Sequence, residues 1–199
     1  MPGSLPRLCA ISPEPPPPER AGPFLQQLRA TVQGHGALLL QLRARTLALQ
    51  PYLELARLAH PICRDAGALL LLNHPALPTT AATPVGDGVH WSSAQLMAQR
   101  ARPRGAGVLT AACHTPAQLQ AARRLEVDAA TLSPVQATLS HPGAPALGWT
   151  AFATLAATCG VPLYALGGVT PADLAHARAQ GAYGVAGIRA FWGRGAHAP

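Results

Sequence analysis

Eight short apolar runs recur along the chain, at 7–12, 37–43, 68–73, 88–91, 107–113, 129–133, 162–167 and 184–188. Most lack the strict apolar–polar alternation of a half-exposed sheet, so they predict strands buried on both faces, as in a parallel sheet. Amphipathic stretches at 20–34, 50–65, 93–101, 116–125, 149–159 and 171–180 predict helices between them. Thr115-Pro116 and Thr170-Pro171 each set a capping hydroxyl before a first-turn proline, and Asp173 adds an acid where the helix dipole favours one. Gly160 and Gly181 stop the helices before the last two strands. The proline-rich connection 74–87 has room for one turn of helix, and 13–18 reads as extended polyproline, either a stiff loop or a docking motif.

Repeated strand–helix alternation predicts an α/β fold, a compact (β/α)8 TIM barrel, as a single domain over 1–199. Such barrels usually need about 250 residues. Here only 189–199 follow the eighth strand, so the last helix is expected to be truncated and the outer ring there to be covered by another subunit or left bare.

Composition narrows the function classes. With 49% hydrophobic and 12% charged residues the chain can bury a large core. No apolar stretch approaches the roughly 20 residues that span a bilayer, and no leader-like segment opens the chain, so a cytoplasmic protein without membrane contact is expected. Its net charge of +7 comes from 15 basic residues, all arginine. They are scattered among few aromatics, which favours anionic small molecules over nucleic acid. Without lysine, neither a Schiff base nor a P-loop can form. Four widely spaced cysteines without a C-x-x-C read as reduced thiols.

In a barrel of this kind chemistry sits at the C-terminal ends of the strands. Gly167 and Gly168 end the seventh strand just before Thr170-Pro171, where backbone amides can approach a phosphate closely, and Gly187-Ile188 end the eighth. His74, His90, His114 and His141 fall at or near the ends of strands three to six. Converging, they could hold a metal; singly, His141 or His74 could be a general base, or each could be a polar loop residue. Trp91, Trp149 and Trp192 could stack on a ring or pack between barrel and helices.

The order of these segments resembles the thiamine phosphate synthase and thiazole tautomerase (TenI) family over roughly 5–192. The carriers are Gln41-Leu42-Arg43-Ala44-Arg45, Leu72-Asn73-His74, Gly86 to Trp91, Cys113-His114-Thr115, Ser133-Pro134-Val135 with Thr138 to Gly148, and the closing Gly-Gly-Val-Thr-Pro and Gly-Val-Ala-Gly-Ile runs. The resemblance implies that Gln41, Arg43 and Asn73 contact a hydroxymethylpyrimidine ring and that Arg45 and Thr138 contact its pyrophosphate. It also implies that Gly168, Gly187 and Ile188 hold a thiazole phosphate. In the synthase, the thiazole nitrogen displaces pyrophosphate with the help of Mg2+.

Departures from the family pattern fall on strands three to six. Where the family places two Mg2+-binding aspartates, this chain has His74 and Gln95; no metal ligands are therefore expected, since neither is a hard carboxylate. His141 stands for a family lysine, Ala112 for a serine, and Pro134 for the tautomerase's catalytic histidine. The expected ligand is a phosphorylated heteroaromatic, with the protein acting in thiamine biosynthesis or salvage. If active, it is a synthase-type transferase or a tautomerase. The alternatives are a noncatalytic binding or partner module, or an isomerase of another heterocycle or sugar phosphate using a histidine base. The Arg-Ala-Phe-Trp segment at 189–192 resembles barrels fused to Nudix hydrolases, so a Nudix-type partner or a homo-oligomer is a further expectation.

Overall fold

The computed structural model describes residues 5–78, 85–105, 107–138 and 145–192. Eight strands close into a parallel barrel in sequence order. They are β1 (Leu8–Ile11), β2 (Leu38–Arg43), β3 (Leu69–Asn73), β4 (Gly88–Trp91), β5 (Val108–Cys113), β6 (Ala129–Leu132), β7 (Leu163–Leu166) and β8 (Gly184–Gly187). The helices are α1 (Gly22–His35), α2 (Leu49–Asp65), α3 (Ser93–Ala98), α4 (Pro116–Arg124), α5 (Trp149–Cys159), α6 (Leu174–Ala179) and the one-turn α7 (Arg189–Trp192).

Side-chain alternation along each strand divides the apolar residues into an inside and an outside set. Cys9, Ile11, Leu39, Leu71, Ala129, Tyr164 and Ala186 fill the barrel interior. Outward residues form two clusters under the helices, one beneath α1 and α2 and one beneath α3 to α6. This double burial explains the continuous apolar runs.

The caps also follow the sequence. Thr115 Oγ1 accepts from the Gln118 amide, Thr170 and Asp173 form a capping box, and Gly160 ends α5 in the left-handed region at φ 70°. A second capping box, Ser92 with Gln95, starts α3.

Three helices differ from expectation. The third stops at Ala98, because Gln99 is already extended and Arg102 is drawn down to Asp128 at 2.7 Å, steering the chain towards β5. The sixth opens with a 3-10 turn, Pro171–Asp173, and the first is preceded by another, Pro18–Arg20. The expected gap in the outer ring is closed from within the chain. Phe191 and Trp192 are buried, Trp192 stacks on Phe24 at 5.4 Å between centroids, and Gln27 Nε2 donates to its carbonyl at 3.0 Å.

The N-terminal end of the barrel is stoppered. Tyr164 fills the axis, and the Tyr164 and Tyr183 hydroxyls donate to the carbonyls of Pro6 and Leu5. All four cysteines are buried and unpaired, and burial pushes the Cys9 thiol up to about 12. Among the described residues, no helix is long and apolar enough to cross a membrane.

Candidate functional site

One cavity of about 1090 Å³ opens at the C-terminal ends of the strands. Ligand pockets for small molecules commonly span about 300–1,000 Å³. Gln41, Arg43, Arg45, Asn73, Thr138, Gly167, Gly168, Gly187 and Ile188 all line it. The elements that bring them together are β2, β3, β6, β7, β8 and the loops that follow.

Its base is a hydrogen-bond relay. Asn73 Nδ2 donates to the His90 carbonyl at 2.8 Å, and Gln41 Nε2 donates to Asn73 Oδ1 at 3.0 Å. The relay fixes the orientation of the Gln41 amide and leaves Gln41 Oε1 as a buried acceptor without a partner; buried Thr131 Oγ1 across the barrel is also unpartnered. Leaving a buried polar atom unpaired costs about 1–3 kcal/mol. A ligand offering an N–H or O–H at this depth recovers that cost.

At the opposite wall, Gly167 and Gly168 have φ of 100° and 69°. A Cβ on Gly167 would lie 2.8 Å from Pro134 Cβ, and one on Gly168 would lie 2.7 Å from Gln136 Cβ and 2.8 Å from the Ala137 carbonyl oxygen. Both residues therefore present bare backbone to the cavity. The helix dipole contributes less than the sequence suggests, because α6 has six residues and Asp173 already takes the Thr170 amide at 2.8 Å.

Arginines 43, 45 and 189 make one side of the cavity basic, and its described lining contains no carboxylate. Burial is the main influence lowering the Arg43 pKa; Arg45 adds to it and Glu14 opposes it. Glu14, on the proline-rich loop, ties this side down. Its carboxylate accepts from the amides of Arg45 at 2.9 Å and Thr46 at 2.8 Å and from the Thr46 hydroxyl at 2.8 Å. Partial burial raises its pKa, but these bonds outweigh it and hold Glu14 below the ordinary glutamate value. Because the folded-state pKa is depressed, the tie is present above the unfolded pKa and is lost as pH falls through the folded one. Glu14→Ala is expected to lower stability by only about 1 kcal/mol, since water reaches the freed amides. It should also weaken anion binding several-fold, read by melting and by titration with inorganic phosphate.

The places where the family pattern has Mg2+-binding aspartates do not fit a metal. His74 is buried, with Nε2 2.8 Å from the Leu47 carbonyl and Nδ1 accepting from the Ala76 amide at 3.1 Å. Gln95 Oε1 accepts from the Ser92 amide and hydroxyl, while its Nε2 donates to the carbonyls of His74 and Pro75 at 3.2 and 3.4 Å. The corner is closed by neutral groups bonded to one another. Among the described residues, no three His, Cys, Asp or Glu side chains converge on a metal position.

The histidines separate by environment. With both ring nitrogens engaged, His74 lies behind the cavity wall. His90 points into the barrel, its Nδ1 2.8 Å from Thr110 Oγ1, and burial with Arg43 nearby lowers its pKa to about 3. His114 is exposed and lines the cavity, while His141 lies outside the described residues. Trp91 and Trp192 are core residues, and Trp149 packs edge-on to Phe152 and His176. None of the three lines the cavity. Roles for Thr131, for the Ser133 side chain and for the Glu14 tie were not anticipated from sequence.

Comparison with known proteins agrees with this architecture. The thiamine monophosphate synthase family model (TMP-TENI) matches residues 8–191. A thiamine-phosphate synthase of Laribacter hongkongensis is 34% identical over 179 residues, covering 87% of this chain and 83% of that protein. One from Methanoculleus marisnigri is 36% identical over 164 residues, covering 80% and 76%. A thiamine phosphate pyrophosphorylase structure from Pyrococcus furiosus superposes with a TM-score of 0.68 at 16% identity, over 95% of this chain and 88% of that one, and so shares the fold. The chain belongs to the thiamine monophosphate synthase (TMP-TENI) family.

Proposed function

We propose that this barrel binds thiazole phosphate, or a closely related heteroaromatic phosphate of thiamine biosynthesis or salvage, without a divalent metal. One observation carries the reading: a single cavity joins an unpartnered acceptor at its base, Gln41 Oε1, to a bare glycine cup at Gly167 and Gly168. A flat ring with a hydrogen-bond donor suits the first, and a phosphate the second. Arg43, Arg45 and Arg189 add charge that complements an anion. Membership of the family, and relatives named thiamine-phosphate synthases, support the ligand class.

The synthase reaction itself is not part of the proposal, because the His74–Gln95 corner offers no carboxylate to a metal pyrophosphate. Calorimetric titration of thiazole phosphate in EDTA is expected to show binding that is unchanged when Mg2+ replaces EDTA, and no thiamine phosphate is expected to form when hydroxymethylpyrimidine pyrophosphate is added. Absence of binding disposes of the ligand assignment. Thiamine phosphate formed only with Mg2+ disposes of the metal-free one.

A further inference from the structure

Resting on the reading of the cavity as a metal-free anion site, we infer that His74 is a positioning residue for its basic side. As a neutral brace it holds the segment 44–48, which carries Arg45 and starts from Arg43 at the end of β2, in the conformation that presents both arginines. The ring is buried and does not line the cavity, so it acts through this segment and not on a ligand.

The partners of the two ring nitrogens fix the tautomer. The Ala76 amide can only donate, so Nδ1 accepts from it at 3.1 Å. The Leu47 carbonyl can only accept, so Nε2 carries the proton and donates to it at 2.8 Å. Both bonds require the same uncharged ring, and with His74 only 4% exposed, burial keeps solvent from replacing either. Tyr52, near the start of α2, packs on the ring at 4.8 Å between centroids. Its hydroxyl donates to the Leu42 carbonyl and accepts from the Asn73 amide, both at 2.9 Å.

The arginine segment is thereby gripped from two sides. Glu14 takes the amides of Arg45 and Thr46 from the β1 side. From the β3 side, the Asn73 carbonyl takes the Ala44 amide at 3.1 Å and His74 takes the Leu47 carbonyl. An ionised carboxylate in the place of His74 could not donate to Leu47, and its charge would offset the arginines. The imidazole makes the bond without adding a charge. Of the described histidines at the strand ends, His90 bonds Thr110 inside the barrel and His114 bonds Ser133, with Nδ1 3.1 Å from its Oγ, so His74 is the one tied to the arginine segment.

Two substitutions in the full chain separate the two bonds. His74→Asn keeps an acceptor for the Ala76 amide two residues on but is too short for Leu47, whereas His74→Gln keeps a donor that reaches it. Amide hydrogen exchange is expected to run about tenfold faster at Arg45, Thr46 and Leu47 in His74→Asn, and within about threefold of the wild type in His74→Gln. In calorimetric titration with inorganic phosphate in EDTA, at a temperature where melting shows each variant folded, His74→Asn should bind about tenfold more weakly and His74→Gln within about threefold of the wild type. With Arg43→Ala and Arg45→Ala both present, adding His74→Asn should change the phosphate Kd by less than about twofold, because its effect passes through those side chains. Long-range 1H–15N spectra of the wild type, which need no variant, are expected to show the His74 proton on Nε2. A proton on Nδ1, unchanged exchange or unchanged affinity in His74→Asn, or an equal affinity loss with and without the arginines overturns the proposal. Absence of phosphate binding by the wild type overturns the anion reading instead, and hydrogen exchange still decides whether His74 holds the segment.

Discussion

Gly168→Val should weaken binding of thiazole phosphate by at least about 100-fold, or roughly 2.7 kcal/mol in binding free energy. The glycine sits at φ 69°, and its Cβ would fall 2.7 Å from Gln136 Cβ and 2.8 Å from the Ala137 carbonyl oxygen. Real side chains do not approach that closely, so either the cup or the 136–137 turn must move. An L-residue held in the left-handed region also costs roughly 1–2 kcal/mol of stability. Gly148→Ala separates the two effects. Gly148 has φ 75° but open space around its Cβ position, and it does not line the cavity. Its substitution should lower the melting temperature while leaving Kd unchanged. Equal affinity in Gly168→Val and the wild type, measured by calorimetry, would remove the glycine cup from the site.

Acidification should destabilise the protein through His90. Burial first, and the Arg43 charge second, depress its folded-state pKa to about 3, against an ordinary value of 6.5. Protons therefore bind the unfolded chain first as pH falls below 6.5, and stability drains away from there towards pH 3. At 1.36 kcal/mol per unit, His90 alone removes about 2 kcal/mol between pH 7 and pH 5. Urea unfolding at those two pH values is expected to show this loss in the wild type and most of it absent in His90→Gln, which can still reach Thr110. Equal losses in both proteins would mean that His90 is not held neutral.

The barrel was legible because its signal is redundant. Eight apolar runs, helix caps at Thr115 and Thr170 and a stop at Gly160 all point to one arrangement, and each survives in the structure. What periodicity misses are the places where a side chain reaches across the fold. Arg102 shortens α3 by bonding to Asp128, and Trp192 completes the outer wall by stacking on Phe24, a partner far away in sequence. The site divides in the same way. Glycines announce themselves because few residues can replace them at positive φ. The pairing of His114 with Ser133 depends on the register of β5 against β6, which places Cys113 beside Leu132. His74 illustrates the converse: a histidine at a strand end reads as chemistry until Leu47 and Ala76 are seen to occupy both its nitrogens.

The tyrosine stopper at the foot of the barrel bears on the order of events. With Tyr164 across the axis and the chain from Leu5 to Arg7 drawn over it, the described residues close the barrel at its N-terminal end, and the cavity opens at the other. If one ligand reaches the Gln41 acceptor and a second rests on the arginines at 43, 45 and 189, the deeper one is expected to bind first and leave last, which the order of product inhibition would test.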